Sequence, residues 1–428
     1  MAQEVPAQAR AFVPAATLPP RVRRRNFYAL LWDYLGFGIA FNMLNPRGLP
    51  PEFVAQLGGG AVLIGLAGLI YFVAWMLPQM FFAPRINRAE RKKPLILWAG
   101  IPARMAFWPA ALLIVLAGPD QPGLLITLLL GSYVLMAVGD GFSAVAWMDV
   151  VGSSLDNGGR GWLFGVGEAL VGLTVAVIAS PLVRLILGPE GPPFPNNYAL
   201  LLALASGVLV TSLLAYGTLR EGDSPPPPDT PTLREYGPFL KRVLREDAGF
   251  RRYLIMRLVY DLGTIALPFY IVYATQTLGQ ESGIALSDQV FLMTAAAALA
   301  ALVFGRINQR RGPRMVILIG TAAALAGPLC MLTAPALGAL SLHVTWITLG
   351  VVGAAFVPGQ MNWVVEYAPQ GFRPIYSGVA NAVGAVARLA PLVGGLIVAA
   401  LGHEVLFTVA VVLGVAALAL ALRLPHTR

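Results

Sequence analysis

Residues 220–252 read REGDSPPPPDTPTLREYGPFLKRVLREDAGFRR, the longest polar stretch in a chain of 428 residues of which 57% are apolar and only 12% charged. A soluble domain carries about 25% charged residues, because its surface must face water. This chain cannot cover such a surface, so lipid is its main solvent, in keeping with a mean hydropathy of +0.70. A helix needs roughly 20 apolar residues to cross a bilayer. Working outward from the polar stretch, such runs precede it at 27–46, 61–83, 95–117, 123–148, 162–187 and 198–219. Six more follow it, at 253–274, 288–305, 315–337, 341–363, 376–400 and 404–424. The expected fold class is all-α integral membrane, with twelve transmembrane helices. The expected parts are a tail at 1–26, a six-helix bundle at 27–219, a linker at 220–252 and a second six-helix bundle at 253–424. Within the linker, Pro225–Pro228 reads as extended chain and Leu233–Arg252 as a basic amphipathic segment on the membrane surface.

The net charge of +9 invites a nucleic-acid reading. The distribution of the basic residues argues for membrane orientation instead. With the N-terminus inside, the tail, the loops at 84–94 and 306–314, the linker, Arg160, Arg373 and the C-terminal end together hold 25 of the 30 Lys and Arg. The opposite loops hold only Arg47 and Arg184, and Arg104, Arg257 and Arg388 lie within spans. Both termini and the linker are therefore expected on the cytoplasmic side of a cell membrane, with lipid rather than nucleic acid as the surrounding partner. Cys330 is the only cysteine, which excludes an intrachain disulfide and a cysteine-based metal site. The tail lacks an apolar core for a cleavable signal, so the first span is expected to serve as the insertion signal. Prolines within spans, among them Pro181, Pro268, Pro358 and Pro391, are tolerated because neighbouring helices re-satisfy the freed backbone groups.

The two halves echo each other. Arg85-Ile86-Asn87-Arg88 follows span two, and Arg306-Ile307-Asn308-Gln309-Arg310 follows span eight. Arg160 and Gly165 after span four match Arg373 and Gly378 after span ten. Asp33 precedes Gly36 in span one as Asp261 precedes Gly263 in span seven. Three echoes in matching order indicate an internal repeat, so the bundles are expected to be pseudo-symmetric, as in many secondary transporters.

Gly305-Arg306-Ile307-Asn308-Gln309-Arg310-Arg311-Gly312-Pro313-Arg314 resembles the G-x-L-x-D-R-x-G-R-R loop of the major facilitator superfamily, with Gln309 in place of its aspartate. Glu366-Tyr367-Ala368-Pro369-Gln370-Gly371-Phe372-Arg373 resembles the family's E-x-x-P-x-x-x-R element. The resemblance implies two bundles rocking about a central cavity, with the substrate site near the midplane. It also implies charge pairs that lock the cytoplasmic side, for which Arg88, Arg160, Arg310, Arg314, Glu366 and Arg373 are the gating candidates. The antiporter pattern G-P-x-x-G-G is absent from span five, and the similar Ala390-Pro391-Leu392-Val393-Gly394-Gly395 lies in span eleven.

Charges inside a membrane are costly and mark function or pairing, by roughly 2.5–3.5 kcal/mol each at a helix centre. The candidates for substrate binding or proton coupling are Asp33, Arg104, Asp140, Glu168, Asp261, Asn381 and Arg388. Arg257 and Asp261, four residues apart, share a helix face and can simply neutralise each other. Arg104, Asp140 and Glu168 are read either as a structural network or as a proton relay, with Arg104 setting the proton affinity of Glu168 or Asp140. Asn381 and Arg388 share one face of span eleven with Gly384. No Walker loop, metal cluster or hydrolase motif appears, so no enzyme activity, cofactor or metal is expected. The leading expectation is a proton-coupled secondary transporter of a small organic solute, acting as a monomer. A non-transporting sensor or scaffold on the same fold, and an efflux pump for amphipathic compounds, remain alternatives.

Overall fold

The structure is a computed structural model that describes residues 18–87, 89, 91–155, 157–221, 245–368 and 373–426, with some side chains inside those ranges left out, chiefly in 77–87 and 157–165. The Pro225–Pro228 linker and the greater part of Leu233–Arg252 lie outside the described residues, as does Arg88. Among the described residues, ten helices are long and apolar enough to cross a membrane. Two shorter apolar helices, Ala61–Met76 and Ala390–Leu401, fall where spans two and eleven are expected. The exterior is apolar in the way lipid requires, with Leu116 72%, Leu299 68% and Leu214 68% exposed.

Helix ends differ from the sequence-based spans in ways that local chemistry explains. Span one begins at Pro20 rather than 27. Proline at the first helical position costs no hydrogen bond, so Arg21, Arg23, Arg24 and Arg25 enter the helix. Span seven begins at Ala248, and residues 248–252 therefore belong to it rather than to a surface segment. The stretch after span one, expected as a loop, contains the helix Leu49–Gln56, whose Pro50 and Pro51 sit in its first turn and whose apolar side chains are buried.

Proline also breaks spans internally. A proline lacks the amide and clashes with the carbonyl one turn earlier. Span five carries a π-helical turn at Val175–Ala179 before Pro181, span seven a 3-10 turn at Gly263–Ala266 before Pro268, and span ten a π-helical turn at Phe356–Met361 around Pro358. Span eleven is interrupted between Ala387 and Ala390, just before Pro391. Between spans eight and nine the chain turns within a single residue. Span eight ends at Arg311, Gly312 takes a φ of +75° that favours glycine, and Pro313 starts span nine.

The polar contacts that join the two bundles cluster at the end opposite the chain termini. Thr275 and Ser282 donate hydrogen bonds to Glu52 at 2.8 and 2.6 Å. Gln56 donates to Ser282, Asn45 to Gln289, and Thr294 to Asn42. The Ser180 and Ser287 hydroxyls lie 2.9 Å apart. Spans two and eleven meet in the same half, where a β-carbon added at Gly65 would lie 2.3 Å from the Pro391 carbonyl oxygen and one at Gly395 2.6 Å from that of Ala61. Small residues let two backbones approach this closely in lipid, where packing rather than the hydrophobic effect drives helix association. The molecule is thus closed at this end.

Candidate functional site

Three charges converge within the first bundle. Asp33 on span one, Arg104 on span three and Asp140 on span four are 3%, 6% and 6% exposed. Arg104 Nη1 donates to Asp33 Oδ1 at 2.8 Å and also to the Ser212 hydroxyl on span six. Trp147 Nε1 donates to Asp33 Oδ2 at 3.0 Å. Both Asp33 oxygens are thereby occupied, and the pair is a closed unit tying spans one, three, four and six. Gly36 one turn on makes room for it, since a β-carbon there would lie 2.6 Å from that of Ser212.

Asp140 stands beside this pair without joining it. The hydrogen bond to its side chain among the described residues comes from the Tyr71 hydroxyl on span two, at 3.3 Å. Arg104 and Asp140 lie within electrostatic reach of each other. Glu168 is elsewhere: it is exposed and accepts a hydrogen bond from the Tyr34 hydroxyl at 2.5 Å. Arg104 therefore takes Asp33, not Asp140 or Glu168, as its partner. Helix rotation decides that choice, and spacing along the sequence cannot supply it.

In the second bundle Arg257 Nε donates to Asp261 Oδ2 at 2.5 Å, the pairing that their spacing suggests. Gly384 on span eleven presses against this pair, where a β-carbon would lie 2.8 Å from Asp261 Oδ2. Arg388, one turn further, sits in the break before Pro391 and makes no ion pair among the described residues. Its guanidinium lies 5.7 Å from the centre of the Phe72 ring on span two. Asn381, on the same span, is exposed.

Two residues of this region were missed from sequence. Arg47 was counted as a loop charge, but its guanidinium lies 4.9 Å from the same Phe72 ring. Glu52, not singled out from sequence, is 1% exposed at the closed seam between bundles. The available signal was the apolar run Leu49–Ala55 with its leading prolines, which reads as a short buried helix.

Of the gating candidates, Arg314 donates to the Leu422 carbonyl at 2.7 Å and contacts His426, fastening the start of span nine to the end of span twelve. Arg310 is exposed beside Arg306 and Arg311, and Glu366 is half-buried at the end of span ten. Arg88 and the side chains of Arg160 and Arg373 lie outside the described residues.

A family model described as Major Facilitator Superfamily matches residues 31–388 and 253–428. An uncharacterised MFS-type transporter of Mycobacterium tuberculosis is 31% identical over 165 residues, 36% of this chain and 28% of that protein. A gallate transporter of Pseudomonas putida is 34% identical over 185 residues, 38% of this chain and 39% of that protein. The matched region thus spans well under half the length of these relatives. Among solved structures, a D-xylose-proton symporter superposes with a TM-score of 0.70 at 15% identity, covering 95% of this chain and 99% of that one, a likeness of fold.

Proposed function

Because the chain belongs to the major facilitator superfamily, we propose that it is a proton-coupled secondary transporter that moves a small organic solute by alternating access. The carrying observation is Asp140, a buried carboxylate held by a single tyrosine hydroxyl next to an arginine already committed to Asp33. A carboxylate whose distance to an arginine changes with conformation changes its proton affinity, which is what coupling demands. Asp33 and Arg104 form the fixed part, and Asp140 is the exchanging group. Glu168, joined to Tyr34 on the neighbouring span, is the second carboxylate of the route. The similarity to a gallate transporter favours an organic solute.

The closed end opposite the termini corresponds, in this reading, to the outside of a cell membrane. Both termini and residues 220–252 are then cytoplasmic, and the chain works as a monomer. Cysteines introduced at Ser224 and Glu190 test that topology by labelling from opposite sides. Glu190 is the better outer position, because a β-carbon at the neighbouring Gly191 would lie 2.1 Å from the Ile186 carbonyl.

The deciding measurement is accumulation of labelled organic solutes in proteoliposomes under an imposed pH gradient. Asp140→Asn is expected to lose gradient-driven accumulation while keeping counterflow. Full gradient-driven accumulation in both Asp140→Asn and Glu168→Gln overturns the proton assignment.

A further inference from the structure

The charges of the second bundle do not balance. Asp261 is taken by Arg257 at 2.5 Å. Asp261 also acts electrostatically on Arg388, so one carboxylate serves two guanidiniums, and Arg47 reaches in from the first bundle. Neither Arg388 nor Arg47 makes an ion pair or hydrogen bond to a side-chain acceptor among the described residues, and the Nε of Arg388 is buried without a partner. The Arg47 and Arg388 guanidiniums lie close enough to act on each other electrostatically, with Tyr260 also in reach of Arg47. Both approach one ring: the Phe72 centroid is 4.9 Å from the Arg47 guanidinium and 5.7 Å from that of Arg388.

A surplus of positive charge among membrane-spanning helices is expensive unless water or a counter-ion reaches it. A cation–π contact with one phenylalanine repays only about 0.5–2 kcal/mol. The arrangement therefore suits a negative charge. Arginine presents a planar fork of donors that matches a carboxylate bidentately. The ring between the two forks offers an apolar face to whatever carries the charge.

We propose that Arg47 and Arg388 form an anion cradle around Phe72, and that the transported solute is a small organic carboxylate with an apolar body. The inference rests on the transporter reading and names its substrate class. Each bundle contributes one arginine, so an anion held by both is released when the bundles part. A lone Arg388 on span eleven binds it less tightly than the pair. The position of Arg388 at the break of span eleven fits this role, since an interrupted helix supplies backbone polar groups to a cavity.

The test uses purified full-length protein in detergent at pH 7, read by thermal unfolding. Its probes are benzoate, phenylacetate and hexanoate, each with its uncharged amide. At least one acid is expected to raise the unfolding temperature saturably while its amide does not. That shift should need at least tenfold more ligand in Arg388→Lys, which keeps the charge and loses the fork. It should vanish in Arg388→Gln and Arg47→Gln, with circular dichroism confirming that both remain folded. Phe72→Leu, which preserves an apolar side chain, is expected to weaken benzoate more than hexanoate. The cradle is overturned if no acid outperforms its amide, or if the shift survives in both folded glutamine variants. Because binding is read without a gradient, loss of pH-driven accumulation with binding intact bears only on coupling. Binding without arginine dependence bears only on the cradle.

Discussion

Asp33 and Asp140 are both buried carboxylates near Arg104, yet neutralising them should have different consequences. Asp33 is the bonded counter-charge, so Asp33→Asn leaves Arg104 buried without one, a change that costs about 3–5 kcal/mol. Asp140→Asn keeps the side-chain shape and the Tyr71 contact, and its unfolding temperature is expected to stay close to wild type. Thermal unfolding in detergent separates the two, and equal losses would make Asp140 as structural as Asp33. A second expectation concerns Gly384. Its missing β-carbon is what lets span eleven rest on the Arg257–Asp261 pair, and Gly384→Ala places that carbon 2.8 Å from Asp261 Oδ2. Transport is expected to fall at least several-fold with expression retained. Gly353→Ala, with nothing within 4 Å, is the silent control. The sequence made Asp33, Arg104, Asp140 and Asp261 visible because a charge in an apolar run has no neutral explanation. It left their partners undecided, since only the short Arg257–Asp261 spacing confines a pair to one helix face. Arg47 reads as a loop charge and Glu52 does not stand out, for the opposite reason: beside prolines and glycines, charge looks like loop.

At the scale of elements, Asp247 does several jobs at the start of span seven. Its Oδ1 accepts from the Phe250 amide at 2.8 Å and from the Tyr367 hydroxyl at 2.6 Å, and its Oδ2 from the Tyr376 hydroxyl at 3.0 Å. One side chain thus caps span seven and holds the ends of spans ten and eleven to it. Behind it, Tyr253 stacks on Trp363 at 4.5 Å and Trp363 on Tyr367 at 4.6 Å. Loss of a cap costs about 0.5–2 kcal/mol, and Asp247→Ala should cost that or more because two tyrosine hydroxyls also lose their acceptor. Partial burial pushes the Asp247 carboxyl up, but the hydrogen bonds from Phe250, Tyr367 and Tyr376 outweigh it and hold the group below its ordinary value. A carboxylate with a depressed folded pKa stabilises fully above its unfolded value of about 3.9 and loses that contribution as pH falls below it. The gap in unfolding temperature between wild type and Asp247→Asn should therefore be constant from pH 7 to 5 and shrink below pH 4. A gap that persists unchanged at pH 3 would show that the charge is not what matters. The prolines were visible in the sequence but were read there as tolerated within continuous spans, and the cap at residue 247 lay inside a segment read as lying on the membrane surface. The acidic residue there was indistinguishable from its charged neighbours until the tyrosines of two distant spans arrived beside it.

At the scale of the whole molecule, alternating access requires the closed seam to open, so what holds it shut is under test. Among the described residues the seam is built from polar groups and glycines rather than ion pairs. Serine, threonine and glutamine bonds around Glu52 have net values of about 0.5–3 kcal/mol each, the upper part of that range belonging to bonds with a charged acceptor, and can be exchanged for water as the bundles separate. Glycine contacts at Gly65 and Gly395 set how closely spans two and eleven approach. Gly65→Ala puts a β-carbon 2.3 Å from a backbone oxygen that cannot step aside as a side chain can. The variant is expected to favour the open seam, seen as faster labelling of a cysteine at Gln56 by a membrane-impermeant reagent. The complementary experiment locks the seam. Ser180 and Ser287 approach hydroxyl to hydroxyl at 2.9 Å across the bundles, so cysteines at both positions should cross-link when the seam is shut. Cys330 is the chain's one native thiol and is replaced by alanine in this background. Oxidation is expected to abolish transport, and reduction to restore it, while single-cysteine variants remain unaffected by either treatment. If the cross-linked protein still transports at the wild-type rate, the contacts between spans five and eight do not part during the cycle. The moving boundary would then have to lie elsewhere than the Glu52 seam.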